Sequence, residues 1–217
     1  MIVEEPPYDL VGLFADEDAR RFLMRLIERG QSRNCLRPFR WRPIRDARRD
    51  TVAQAADAVL RPFLRYEGCR FTVLWDRKGS GVEGEHARAT EENVINSLVR
   101  ASFDRESVVA ICLDPELEVA LVPAWDRVVE VLAGRRGRSV PADADILAKS
   151  KVDGQLSLSE SLRSHPKETL DATLGVLNLR HSPELFEDLG AQLSIVTLKE
   201  CEALGRLAST LVRWFPP

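Results

Sequence analysis

Four segments of extended character, each followed by helical periodicity, fill the first 134 residues, and this alternation most constrains the fold. From Tyr8 to Ala15 the residues YDLVGLFA form an apolar run. Phe22, Leu23, Leu26 and Ile27 then recur at i, i+1, i+4 and i+5, which predicts an amphipathic helix capped by Asp16 and ended by Gly30. LRPFRWRPIR (36–45) alternates partly with aromatics but holds two prolines, as an edge strand or an extended loop does. A second helix is expected over 51–66, with Thr51 as cap and Val52, Ala56, Leu60 and Phe63 on its apolar face. CRFTVLW (69–75) reads as a strand stopped by Asp76 and the glycine-rich RKGSG. A third helix follows over 89–102, then the strand SVVAICL (107–113), then a helical stretch over 116–134 with Pro123 as a kink or break. Strand alternating with helix predicts an α/β fold with a parallel or mostly parallel sheet.

After Gly134 the character changes. GRRGRSVPADAD (134–145) reads as a polar loop or lid, and from residue 166 onward only helical patterns occur. Pro166 and Pro183 suit first-turn positions, with Ser182 as a cap. The expected organisation is an α/β core over 1–134, a connection over 135–165, and a helical part over 166–217 packed on the core. A chain of 217 residues suits this division. It buries roughly 70% of its unfolded surface, so neither disulfide nor metal is required for stability. Cys35, Cys69, Cys112 and Cys201 form no CxxC pair, which predicts thiols in a reducing cytoplasm rather than a zinc site. No apolar run reaches the roughly 20 residues of a membrane span, and the acidic, proline-containing start does not resemble a secretory signal.

Acid stands at three strand ends: Asp16, Glu17 and Asp18 after the first, Asp76 after the second apolar strand, and Asp114, Glu116 and Glu118 after the third. In open α/β sheets, ligands bind at the carboxyl ends of the strands. If these strands are neighbours, their acids converge on one rim, which is costly unless a divalent cation or a proton offsets the repulsion. An all-oxygen set of Asp16, Asp76, Asp114, Glu116 and Glu118 suits Mg²⁺ or Mn²⁺, and with Glu17 supplies catalytic carboxylates for phosphoryl chemistry. The small residues Gly79, Ser80 and Gly81 would let a phosphate approach the backbone, although RKGSG lacks P-loop spacing. An Asp at a strand end is equally a common helix cap or turn former, and both readings stand at this stage.

VLWDRKGSG, ICLDPELE, SHPKETLDATL, SPELFEDLGAQL and the terminal LVRWFPP resemble the Toprim-related small proteins of bacterial anti-phage defence loci of the methylation-associated kind. The resemblance runs through roughly 10–134 and 165–217, in short motifs. It implies a Toprim-like mostly parallel sheet flanked by helices, a helical C-terminal extension and other defence proteins as partners. It also implies a divalent-metal nuclease or phosphodiester-acting subunit, with DNA or RNA as ligand. In nuclease-type Toprim domains a Glu after the first strand and an Asp-x-Asp after a later one bind Mg²⁺. Here the first position falls on Ala15 or Asp16, and the second element reads Asp76-Arg77-Lys78. Val119 and Ala120 follow PELE where an aromatic is expected, while Glu116 and Glu118 remain and Glu83 offers a replacement ligand. These departures imply a second version, a degenerate module that binds a partner or nucleic acid.

The net charge of −3 excludes a uniformly basic protein but not a local basic face. Arg33, Arg37, Arg40, Arg42, Arg45, Arg48 and Arg49 fall within seventeen residues, interleaved with Phe39 and Trp41. Such a stretch suits phosphate contacts and base stacking, with Arg37, Arg40, Arg42 and Arg45 as the expected nucleic-acid contacts. Charge and proline also protect an edge strand from aggregation. His86 lies near the expected rim, as a general base or a surface loop residue, and His165 and His181 precede helix starts.

Overall fold

The computed structural model describes residues 7–45, 52–150 and 156–217. Its sheet has strands β1 (Leu10–Phe14), β2 (Trp41–Arg45), β3 (Arg70–Asp76) and β4 (Val108–Leu113), in the order β2-β1-β3-β4. Every pairing is parallel. The proline-containing segment therefore is an edge strand, Pro43 lying opposite Gly12. Helices α1 (Glu17–Ser32), α2 (Val52–Leu60), α3 (Ala87–Arg100) and α4 (Trp125–Gly134) alternate with the strands. Helices α5 (Asp143–Lys149), α6 (Leu158–Ser164), α7 (Pro166–Leu177), α8 (Pro183–Gln192) and α9 (Glu202–Trp214) follow.

Side chains alternate across the sheet as the pleat demands. Leu10, Phe14, Leu74, Ile111 and Leu113 face α1, α4 and the C-terminal helices. Val11, Leu13, Phe71, Val73, Trp75, Ala110 and Cys112 face α2 and α3. Both faces are covered, the usual state of a parallel sheet. The C-terminal part is joined to the first face rather than standing apart, because α8 crosses α1 at Gly190. A Cβ there would lie 2.2 Å from the carbonyl oxygen of Phe22.

Several boundaries differ from expectation. α1 runs through Gly30 to Ser32, because Gly30 is a packing residue: a Cβ on it would meet Leu36 at 3.1 Å. α2 stops at Leu60, where Pro62 opens a 3-10 turn over Arg61–Phe63; Thr51 lies outside the described residues. Leu117–Ala124 winds as 3-10 helix and only Trp125–Gly134 as α-helix, with Pro123 just before the change. The connection over 135–165 contains α5 and α6. Ser157 and Glu160 form a reciprocal capping box at the start of α6, a signal readable as S-x-x-E. All four cysteines are free thiols, three of them buried. Among the described residues no helix is long and apolar enough to cross a membrane.

Candidate functional site

Because all strands run one way and β1, β3 and β4 are neighbours, their carboxyl ends meet on one rim. Backbone bonds fix the loops there: Arg77 N–H donates to Leu113 O at 2.8 Å and Lys78 N–H to Pro115 O at 3.1 Å. A cleft of about 410 Å³ opens at this rim. Asp16, Asp18, Asp76, Glu116 and Glu118 line it from the sheet side. The C-terminal part closes the other side with Lys167, His181, Pro183 and Phe186.

Asp76 ends β3, and its Oδ1 is shut off from solvent with no hydrogen-bond partner. Burial, then the negative charges of Asp16, Glu118 and Glu116, push its carboxyl well above the ordinary range. Glu118 is 5% exposed and burial pushes it up as well. Glu116, equally buried, goes the other way. Burial opposes its charge, but two lysines overcome that: Lys167 Nζ donates to Oε2 at 2.5 Å and Lys78 Nζ to Oε1 at 2.8 Å. Against the same kind of desolvation, Glu116, Glu118 and Asp76 hold the Lys167 ammonium charged. His181 stands between Asp18, 3.0 Å from Nε2, and Asp171, 3.4 Å from Nδ1.

Other predicted site residues have different roles. Asp16 lines the cleft and also caps α1, accepting from Ala19 N–H at 2.7 Å. Glu17 is not a free catalytic carboxylate. Arg20 grips it through two hydrogen bonds and Arg21 through one at 2.7 Å. The Arg20 bonds lead in holding it at about 2. Asp114 turns away from the cleft to Arg77, 2.8 Å away, because the loop after β4 exposes it. Glu83 caps the turn after β3, accepting from Gly79 N–H at 2.8 Å. That bond occupies the amide expected to meet a phosphate. Ser80 is buried and donates to Arg77 O, while Gly81 lies outside the cleft lining.

Among the described residues no group of three or more His, Cys, Asp or Glu side chains is arranged to hold a metal ion. Lys78 and Lys167 both pair with Glu116, at 2.8 and 2.5 Å.

The arginine stretch also changes character. Arg33, Arg37, Arg40, Arg42 and Arg45 are exposed, whereas Phe39 is buried and Trp41 half-buried. Phe39 stacks on Phe215 with ring centroids 3.9 Å apart, and Trp41 meets Phe14 edge-on. Arg37 lies over Phe215, Arg42 over Tyr8, and Arg40 reaches Asp9. Arg48 and Arg49 fall outside the described residues. His86 caps α3, its Nδ1 accepting from Arg88 N–H at 3.3 Å, and lies outside the cleft.

Lys167 and His181 are the site residues that sequence reasoning missed. Lys167 had a signal: a cation in the first turn of a helix opposes the macrodipole and implies an acidic partner. His181 had none beyond its place before a helix. No family model, curated protein or solved structure matches the chain.

Proposed function

We propose that this protein is a Toprim-like component of a bacterial anti-phage defence system, a module that has exchanged the divalent cation of its cleft for lysine charge and works by binding a partner. The defence role rests on the resemblance of its motifs. The binding role rests on one observation: Glu116 is held by both Lys78 and Lys167. Two ammonium groups there supply the positive charge that the acidic rim needs, and they repel an incoming ion. Glu17 and Asp114 are neutralised by arginines, which removes two further ligands.

Calorimetric titration with Mg²⁺ and Mn²⁺, alongside incubation with plasmid and phage DNA, tests this reading. No saturable ion binding and no cleavage are expected. Lys78→Asp, which restores the Asp-x-Asp element, should bring Mn²⁺ uptake. Mn²⁺-dependent cleavage by the natural chain, abolished by Asp76→Ala, would overturn it. That outcome would favour a phosphodiester-acting subunit, a reading supported by the unpartnered Oδ1 of Asp76 beside other carboxylates.

A further inference from the structure

The amino ends of the strands lie opposite the acidic rim, and arginine dominates that end. Asp9, just before β1, holds the starts of the neighbouring strands. Its N–H donates to Arg40 O at 2.7 Å, and its carbonyl accepts from Arg70 N–H at 2.9 Å. Arg40 and Arg42 at the start of β2 and Arg70 at the start of β3 therefore flank β1, two strand spacings or roughly 10 Å apart. The Tyr8 ring meets those of Phe63 and Tyr66 at 6.4 Å, which brings Arg65 to the same end. On the other side Arg37 N–H donates to Phe215 O at 3.2 Å, and Trp214 Nε1 to Glu106 O at 3.1 Å.

Four of these arginines rest on aromatic rings. Arg37 lies 5.2 Å from the centre of Phe215, Arg42 5.9 Å from Tyr8, Arg65 4.9 Å from Tyr66 and Arg70 5.8 Å from Trp214. A ring against one face steadies a guanidinium without using its N–H fork. Arg37, Arg40, Arg42 and Arg65 are exposed and Arg70 is half-buried. Internal bonds take few of the five donors each carries. Arg37 and Arg70 give one N–H each to a carbonyl, Arg65 one to the Tyr66 hydroxyl and Arg40 one to the Asp9 carboxylate. Asp9, Glu67 and Glu106 adjoin them, so five arginines meet three acids.

Forks steadied in this way suit phosphate oxygens, and their spread suits a repeated anion rather than a single one. Each of the four rings already has a guanidinium over it, so unpaired bases gain little from stacking there. Among the described residues the exposed large apolar side chains are Val99, Val140 and Val196, and none belongs to this group to enter a membrane. We propose that this face binds the sugar–phosphate backbone of a nucleic-acid duplex, without reading its sequence, through Arg37, Arg40, Arg42, Arg65 and Arg70. Arg45, at the carboxyl end of β2, stands apart from it. The face lies across the sheet from the cleft, so the inference does not rest on the metal-free reading.

A short fluorescent DNA duplex is titrated with the full chain in EDTA, and anisotropy is read as salt is raised. Saturable binding is expected, equal for unrelated sequences and weakening about a hundredfold between about 50 and 200 mM salt, as roughly four phosphate contacts require. Arg42→Ala and Arg65→Ala should each weaken binding and lower the salt slope by about one. Arg163→Ala, an exposed arginine on α6, should bind as the natural chain does. Arg42→Lys keeps the charge but not the fork and should fall between Arg42→Ala and the natural chain, a ranking that stands apart from melting temperature. No saturable binding at about 50 mM salt, or equal binding by the Arg42→Ala, Arg65→Ala double variant, overturns the inference. Tighter binding of a single strand overturns the duplex assignment. Equal affinity for polyglutamate or for phosphatidylserine vesicles overturns it in favour of an acidic protein or a membrane surface. None of these outcomes touches the reading of the cleft, which is decided by Mn²⁺ uptake.

Discussion

Glu91 and Asp76 are two acids drawn into the protein interior, and their surroundings could hardly differ more. Glu91 lies on α3 at 4% exposure, and its charge is fully answered within the chain. Its Oε1 accepts from the backbone N–H of Cys112 at 2.9 Å and from the guanidinium of Arg206, while Arg88 stands 3.6 Å from Oε2. One carboxylate thus ties α3, β4 and α9 together. Asp76, on the same sheet, has an oxygen without a donor and three acidic neighbours. The first arrangement serves the fold. The second leaves a buried acceptor without a donor beside like charges, an arrangement that costs stability rather than adding to it.

The sharpest way to break this comparison is to remove the cation from the finished site. Arg206→Ala leaves the buried Glu91 with the Cys112 N–H and, as cation, only the more distant Arg88, and unfolding in denaturant should show a loss of about 3–5 kcal/mol. A loss under about 1 kcal/mol would mean that Glu91 is solvated or protonated, and that the contrast is false.

Gly190→Ala comes next. The new methyl would stand 2.2 Å from Phe22 O, a backbone atom that cannot rotate away, so α8 must lift from α1. A cost of about 1–3 kcal/mol is expected, with broadened packing of the helical part on the core. An unchanged denaturation midpoint would show that α8 slides without cost. Asp76→Asn should have the opposite sign to Arg206→Ala. It removes like-charge repulsion and sacrifices no hydrogen bond to Oδ1, so stability should hold or rise by about 1 kcal/mol. Marked destabilisation in the same denaturant series would place Asp76 with Glu91 as a structural acid.

The sequence revealed the acids more readily than their partners, and the reason is physical. Strand ends are local features: an apolar run followed by Asp is visible within ten residues, and parallel pairing then brings Asp16 and Asp76 together. Pairing partners are long-range. Lys167 lies 51 residues from Glu116, and Arg206 lies 115 from Glu91. No periodicity predicts which cation crosses such distances. Asp114 misled for a related reason: its strand-end position is sound, but Arg77 on the neighbouring loop claims it. The arginine stretch shows the same limit, since alternation on an edge strand shows that two faces differ without showing which is covered. Phe39 is covered by Phe215, near the far end of the chain.

The smallest expected effect tests whether the cleft has a structural half as well as an open one. His181 joins Asp18 at the start of α1 to Asp171 on α7, with Glu118 adding attraction from the 3-10 segment and Phe186 of α8 against its ring. The bond to Asp18 leads in raising its imidazole above the ordinary value of 6.5, against the opposing effect of burial. A raised folded-state value means that the stabilisation is fully present below about 6.5, the unfolded value, and is lost as pH rises through the folded one. Melting temperatures of the natural chain and of His181→Gln, taken across about pH 5.5–8.5, should therefore converge as pH increases. A gap that stays constant would mean that His181 acts by packing alone, and the cleft wall would then owe nothing to charge. Convergence would make His181 a milder counterpart of Arg206, a cation that ties the helical part to the start of α1.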